Sequence, residues 1–237
     1  MKRVLILLLS INLAFFAYAQ GNSIPKSSKV KVQEEILPEE LPDSIRYRYP
    51  LFNGVSVSVS IFDPVMEVFK WNHANYQAMV TADLYHRFFP QAAVGIGHSE
   101  EVSNDGVKYT CKASPFFKIG MLYNFNYNDT KPENFYYVVA RYGMSKSTAD
   151  IENLHYTDGY WNEFGPANVT GLDYPCHWAE IGGGIKVKLT GPISLGWEFT
   201  YRPLLSKGEA KNGNPYFVPG KGAGNFGFDF NIYYNIF

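Results

Sequence analysis

His98 and Ser99 are adjacent, and a base beside a hydroxyl is the minimum for nucleophilic attack on an ester once a third group orients the imidazole. No orienting group is evident, so lipid hydrolysis through this pair is carried only as an alternative. His155, Asp158 and His177, near Cys176, have metal-binding side chains, but their spacing matches no zinc signature. The run Gly222-Ala223-Gly224-Asn225-Phe226-Gly227 fits G-x-G-x-x-G, yet it leads into a strand-like segment instead of leaving a strand for a helix, so no dinucleotide site is expected. Cys111 and Cys176 make an even pair at the outer ends of long loops, and in an oxidising compartment a Cys111–Cys176 disulfide is expected. No catalytic residue, metal or cofactor is assigned.

The charged residues that matter most are Asp83, Lys118, Arg141, Glu180, Glu198, Arg202 and Asp229, because all seven stand where the surrounding sequence is small and polar. What positions them is a period of two that begins near Phe52 and holds to the end of the chain. Val55, Val57, Val59 and Ile61 alternate with Gly54, Ser56, Ser58 and Ser60; Tyr76, Ala78, Val80, Ala82 and Leu84 alternate with Gln77, Thr81 and Asp83, a face extended to Arg87. Ala92, Val94 and Ile96 oppose Ala93, Gly95 and Gly97; Phe117, Ile119, Met121 and Tyr123 oppose Lys118 and Gly120; Tyr136, Val138, Ala140, Tyr142 and Met144 oppose Arg141, Gly143 and Ser145. Further on, Ile181, Ile185, Val187 and Leu189 face away from Glu180, Gly182, Gly184, Lys186 and Lys188. Ile193, Leu195, Trp197, Phe199 and Tyr201 face away from Ser194, Gly196, Glu198, Thr200 and Arg202, and Phe226, Phe228, Phe230, Ile232 and Tyr234 from Gly227, Asp229 and Asn231. That makes eight segments, each near the length of a tilted membrane-crossing strand.

The start of the chain fixes the compartment. Met1-Lys2-Arg3, an apolar run from Val4 to about Ala17, and Ala17-Tyr18-Ala19 before Gln20 form a secretory signal peptide over residues 1–19, with cleavage expected between Ala19 and Gln20. Residues 20–50, with Lys26, Lys29 and Lys31 followed by Glu34, Glu35, Glu39 and Glu40, read as a periplasmic linker, and residues 51–237 as the barrel. No later apolar run is long enough to cross a bilayer as a helix, so a membranous mature chain must cross as strands. The formal net charge of −1, with no basic cluster, leaves no footprint for nucleic acid.

Connections set the orientation. Short links are expected around Phe89-Pro90 and at Thr190-Gly191-Pro192, and longer ones at 62–75, 99–111, 146–176 and 203–225. Outer-membrane barrels have short periplasmic turns and long outer loops, so both termini fall on the periplasmic side. The greasy face, rich in Trp, Phe, Tyr and branched aliphatics, is assigned to lipid and the small polar face to the lumen; 17% aromatic residues with a mean hydropathy slightly below zero fit that assignment. Folding about Gly191 sets Glu180 opposite Arg202, with Arg141 near the same level, so the inward charges form a balanced structural filling. In the third long loop, Tyr156, Tyr160, Trp161, Phe164 and Tyr174 offer aromatic contact area. A narrow pore and a soluble periplasmic ligand-binding barrel are kept as alternatives.

The stretches Tyr49-Pro50-Leu51-Phe52-Asn53-Gly54-Val55-Ser56-Val57-Ser58-Val59, Tyr216-Phe217-Val218-Pro219-Gly220 and His177 to Arg202 resemble an uncharacterised, domain-of-unknown-function family of small bacterial outer-membrane β-barrel proteins. In outline the chain is also similar to the barrel domain of outer membrane protein A, without a periplasmic cell-wall domain. The resemblance implies an all-β, eight-stranded antiparallel up-and-down transmembrane β-barrel and an outer-membrane location. The last residue, Phe237, is similar to the terminal aromatic read by the barrel-assembly machinery, although the apolar alternation ends on Ile236. The expected partners are outer-membrane lipid, that machinery and an extracellular ligand at the loops.

Overall fold

The computed structural model describes residues 49–69, 71–127, 133–157, 164–206 and 215–236. The signal peptide, the Ala19–Gln20 junction, nearly all of the 20–50 arm, and Phe237 lie outside the described residues, as do the side chains of Tyr156, Tyr160, Trp161 and Phe164. Among the described residues nine strands and one short helix follow in order: β1 (Phe52–Ser60), α1 (Phe62–Val68), β2 (His73–Leu84), β3 (Phe88–Val102), β4 (Lys108–Asn124), β5 (Phe135–Thr157), β6 (Phe164–Thr190), β7 (Ile193–Tyr201), β8 (Leu204–Ser206) and β9 (Phe226–Asn235).

Each strand pairs antiparallel with its neighbours, and the sheet closes on itself. The order runs β5-β4-β3-β2-β1-β9-β7-β6, with β5 also paired to β6, so eight strands form a ring without a free edge. The three-residue β8 is the ninth; it pairs with β6 at His177 and Trp178, beyond the last β6–β7 pair at Ile181 and Tyr201. Closure satisfies every ladder within the ring, which is what allows its outer face to be apolar.

The alternation read from the sequence sets the faces. Val57, Val80, Val94, Ile96, Ile119, Val138, Ile181, Phe199 and Phe228 are exposed around the outside. Ser56, Ser58, Gln77, Thr81, Gln91, Lys118, Arg141, Glu180, Glu198, Thr200, Asp229 and Asn231 are buried within. The interior also holds large rings, although the alternation assigns small polar and charged residues to it. Phe89, Leu122, Phe135, Tyr137 and Val139 form one cluster, and Phe116, Tyr174, Cys176, Trp178 and Val218 another. Glycines make the room: a Cβ at Gly143 would lie 2.2 Å from the Trp178 ring, and one at Gly184 2.5 Å from the Tyr137 ring.

Four connections differ from expectation. The β2–β3 turn is Tyr85-His86-Arg87, with φ of 55° and 54° at Tyr85 and His86. Phe89 is thereby free to point inward and Arg87 lies over the Phe88 and Tyr123 rings at the rim. The links 99–111 and 146–176 are largely strand: β3 through β6 continue past the ring as a hairpin sheet, paired as far as Thr157↔Phe164. Register shifts between Gly97 and Ser99, Cys111 and Phe116, and Ala149 and Ile151 break the two-residue period there, and so hide the strands in the sequence. The link 203–225 sends Phe217, Val218, Pro219 and Gly220 back into the ring's mouth, where all four are buried.

Gly143 and Gly183 test the facing directly. Gly143→Ala drives a methyl into the Trp178 ring and should cost about 1–3 kcal/mol, whereas a Cβ at Gly183 meets only Tyr137 O at 3.3 Å and should cost less than about 1 kcal/mol. Urea unfolding of the two variants in detergent checks the difference.

Candidate functional site

The seven charges expected inside the ring separate into two places. Six of them, three cations and three carboxylates, meet in one layer. Arg141 on β5 stands opposite Glu180 on β6 in register, and Glu198 on β7 stands opposite Asp229 on β9. Lys118 Nζ lies 2.8 Å from Glu180 Oε1, Arg141 Nη1 lies 3.2 Å from Glu180 Oε2, and Arg202 Nε lies 3.5 Å from Glu180 Oε1. Arg141 also forks onto Glu198, with Nη1 donating to Oε1 at 2.5 Å and Nη2 to Oε2 at 2.6 Å. Arg202 donates through Nη2 to Asp229 Oδ2. Neutral groups fill the remaining valences: Arg141 Nε donates to Gln91, Arg202 Nε to Thr200 Oγ1 at 2.8 Å, and Trp178 Nε1 to Glu180 Oε1 at 3.0 Å.

Glu180 is fully buried and touches all three cations, so it is the centre of the layer. Charges this buried persist only when paired and hydrogen-bonded, and here the signs cancel three against three. The layer is roofed by the 215–222 turn. Arg202 Nη1 donates to Lys221 O at 3.3 Å, Gly220 N to Asn75 Oδ1 at 2.7 Å, and Lys221 Nζ to Gly224 O at 2.7 Å. Gly220 has φ of +83° and its Cβ position lies 2.6 Å from the Phe116 ring, so this turn seats only with glycine there. Beside it, α1 contributes Asp63, whose Oδ2 accepts from Asn75 Nδ2 at 2.8 Å. Burial pushes the Asp63 carboxyl up and the Asp229 charge adds to it, while burial pulls the Lys221 ammonium down with help from Arg202. The sequence marked the Tyr216–Gly220 stretch but gave no sign that it turns inward.

Asp83, the seventh charge, is not in the layer. It stands at the opposite end of the lumen, where Oδ2 is 2.7 Å from His86 Nδ1 and Oδ1 accepts from Asn53 Nδ2 at 3.3 Å.

The other candidates are not assembled. Ser99 is buried on the inward face, whereas His98 points outward, stacks with Tyr76 and lies 3.2 Å from Glu67. Successive strand residues face opposite ways, so the two cannot act as base and nucleophile on one substrate. Cys111 and Cys176 are free thiols, both buried inside strands rather than placed at loop ends, and Cys111 Sγ lies 3.1 Å from Ser147 Oγ. Cys111 pairs with Ala149 and Cys176 with Ser145, so a whole strand and a four-residue offset separate them. That puts their Cα atoms more than about 10 Å apart, beyond the roughly 7 Å a disulfide spans. His177 bonds Tyr142 OH at 2.9 Å, and the side chains of His155 and Asp158 lie outside the described residues. Among the described residues no group of three or more His, Cys, Asp or Glu side chains could hold a metal.

A family model described as "Domain of unknown function (DUF6048)" matches residues 1–237. No curated protein is significantly similar to the chain. Among solved structures, the crystal structure of the N-terminal β-barrel domain of Pseudomonas aeruginosa OprF is similar at 12% identity and a TM-score of 0.39, over 77% of this chain and 96% of that one.

The layer predicts an asymmetry between breaking and replacing a buried charge pair. Glu180→Gln strands Lys118 between two arginines and should cost about 3–5 kcal/mol of stability, whereas Glu180→Gln combined with Lys118→Met should recover at least half of that loss. Denaturant unfolding of the single and double variants measures both.

Proposed function

The chain belongs to the family of the domain of unknown function DUF6048, and we propose that it is an exported outer-membrane protein of structural or surface-interaction type. In this reading the ring is the anchor and the sheet rising beyond it is the contact surface. The observation that carries it is the inversion of the barrel. A soluble ligand-carrying barrel turns its apolar face inward. Here exposed apolar side chains run round the whole outside while three cations and three carboxylates are buried within. A continuous apolar belt of this kind exceeds any patch a monomer keeps in water.

Dimensions and edges agree. β7 and β9 have 9 and 10 residues. At about 3.4 Å per residue and a tilt near 40°, such strands give a belt of about 25 Å. Tyr76, Tyr136, Tyr201, Phe226 and Tyr234 are exposed on the outer face, Tyr136 and Tyr234 toward the end carrying Tyr49 and Ile236 and the others toward the far end, as interfacial girdles require. The signal-type N-terminus, the short turns at 85–87 and 191–192 and the longer far-end connections support a topology with the extended β3–β6 sheet outside the cell. The lumen is filled by the charge layer, two aromatic clusters and the inward turn, which supports an anchor over a pore. On the extension, Tyr109 stacks on Tyr216 and Tyr174 is buried beneath, an aromatic surface suited to recognition.

Fractionation of expressing cells, followed by gel electrophoresis with and without boiling, tests location and closure together. The expected result is outer-membrane material whose unboiled band migrates apart from the boiled one; recovery in the soluble periplasmic fraction would overturn the reading.

A further inference from the structure

A cavity of about 350 Å³ opens at the end of the lumen opposite the inward turn, lined by Ser56, Thr81, Asp83, His86, Lys186 and Ser194 among others. Lys186 is what sets it apart. The other cations that face the lumen from the wall each touch a carboxylate: Lys118 and Arg141 on Glu180, Arg202 on Asp229, and Lys188 on Glu133. Lys186 is nine-tenths buried, and among the described residues it has no ion pair. Its Nζ donates to the neutral Asn235 Oδ1 at 3.2 Å and sits 4.6 Å from the Tyr233 ring centroid. Of the carboxylates in the same cavity, Glu133 is engaged by Lys188, and Asp83, whose charge acts on Lys186 from beyond ion-pair distance, is bonded by His86 and Asn53.

A second group points the same way. Thr81 lines the cavity, is 2% exposed, and among the described residues its Oγ1 has no hydrogen-bond partner. A buried ammonium and a buried hydroxyl are both costly without partners, and a cation–π contact compensates the ammonium only in part. The ring spends its other buried cations on carboxylates, so the open valence here calls for a negative acceptor from outside the protein.

We infer that this cavity is a binding site for a small oxyanion, a carboxylate or phosphate group, held by Lys186 with Thr81 as a donor. Ser56, Ser194 and the cationic Lys188 lie around the same space, and the cavity is within the size range of small-molecule sites. The site opens at the end that carries Tyr49 and Ile236; naming that end periplasmic rests on the proposed function, but the site itself does not.

The test uses the full chain refolded in detergent micelles with lysine labelled by carbon-13 at Cε, titrated separately with inorganic phosphate and with acetate. The Lys186 resonance, identified by its loss in Lys186→Met, should shift saturably with at least one probe, with half-saturation in the millimolar range or below. Saturation with phosphate alone, acetate alone or both assigns the chemical class. Thr81→Val should weaken binding about tenfold, as loss of a hydrogen bond to a charged group does, while Lys221→Met, at the far end of the lumen, should leave it within twofold. A linear, non-saturating shift with both probes, or binding that Thr81→Val leaves unchanged, would overturn the inference. Because the measurement is made in micelles, its failure is distinct from a failure of the outer-membrane reading.

Discussion

A closed ring of strands turned inside out has to solve one problem before any other, which is what to do with charge in a narrow lumen. The Glu180-centred layer is the solution here. Three cations converge on one carboxylate, and Glu198 and Asp229 absorb what Glu180 cannot, so that no buried charge in the layer lacks a counterpart. The layer joins β4, β5, β6, β7 and β9, and through Gln91 it reaches β3. It therefore fixes register as well as charge: a slip of one residue would turn Arg141 or Glu198 out of the lumen and into the apolar belt. Electrostatic pairing and hydrogen-bonded closure thus support each other, and neither would hold alone.

The rest of the interior follows from what the layer leaves over. Below it, rings from Phe89, Phe135 and Tyr137 fill the lumen, with glycines on facing strands giving them room. Above it, Trp178 and Phe116 do the same, and the 215–222 turn closes the mouth by docking Gly220 on Phe116 and Asn75. The filling is polar in the middle and aromatic at both ends. Among the described residues, Lys186 is the wall cation that stands outside that scheme, with no carboxylate in contact with its ammonium.

Much of the fold was legible because a period of two survives wherever one face meets an apolar environment and the other does not. β1, β7 and β9 could be read residue by residue, and so could the opposition of Arg141, Glu180 and Arg202, which needs only the turn at Gly191 and the strand period. The missed parts share a physical cause. Beyond the belt neither face of β3–β6 is required to be apolar, and bulges near Cys111 and Ala149 shift the phase, so Lys108 to Cys111 and Lys146 to Cys176 look like loop. Inward rings such as Tyr137 and Trp178 carry no signal, because an aromatic side chain reads as lipid-facing unless the glycine opposite it is noticed. Asp83 belongs to the right face but the wrong level, since strand tilt, which sets depth, is not written in the period. The cysteines were placed on the right side of the barrel but not in reach of each other, because distance depends on the strand between them.

If the ring sits in a membrane its outer face must meet lipid, and the two tryptophans of adjoining strands report on that most directly. Trp197 on β7 faces outward beside Phe230, while Trp178 on β6 is fully buried and donates to Glu180. Two single-tryptophan variants, one keeping Trp197 and the other Trp178, would be folded into vesicles containing brominated acyl chains, which quench fluorescence on contact. Strong quenching of Trp197 with Trp178 left bright is the result predicted; quenching of neither, or of Trp178 in preference to Trp197, would contradict the inside-out barrel.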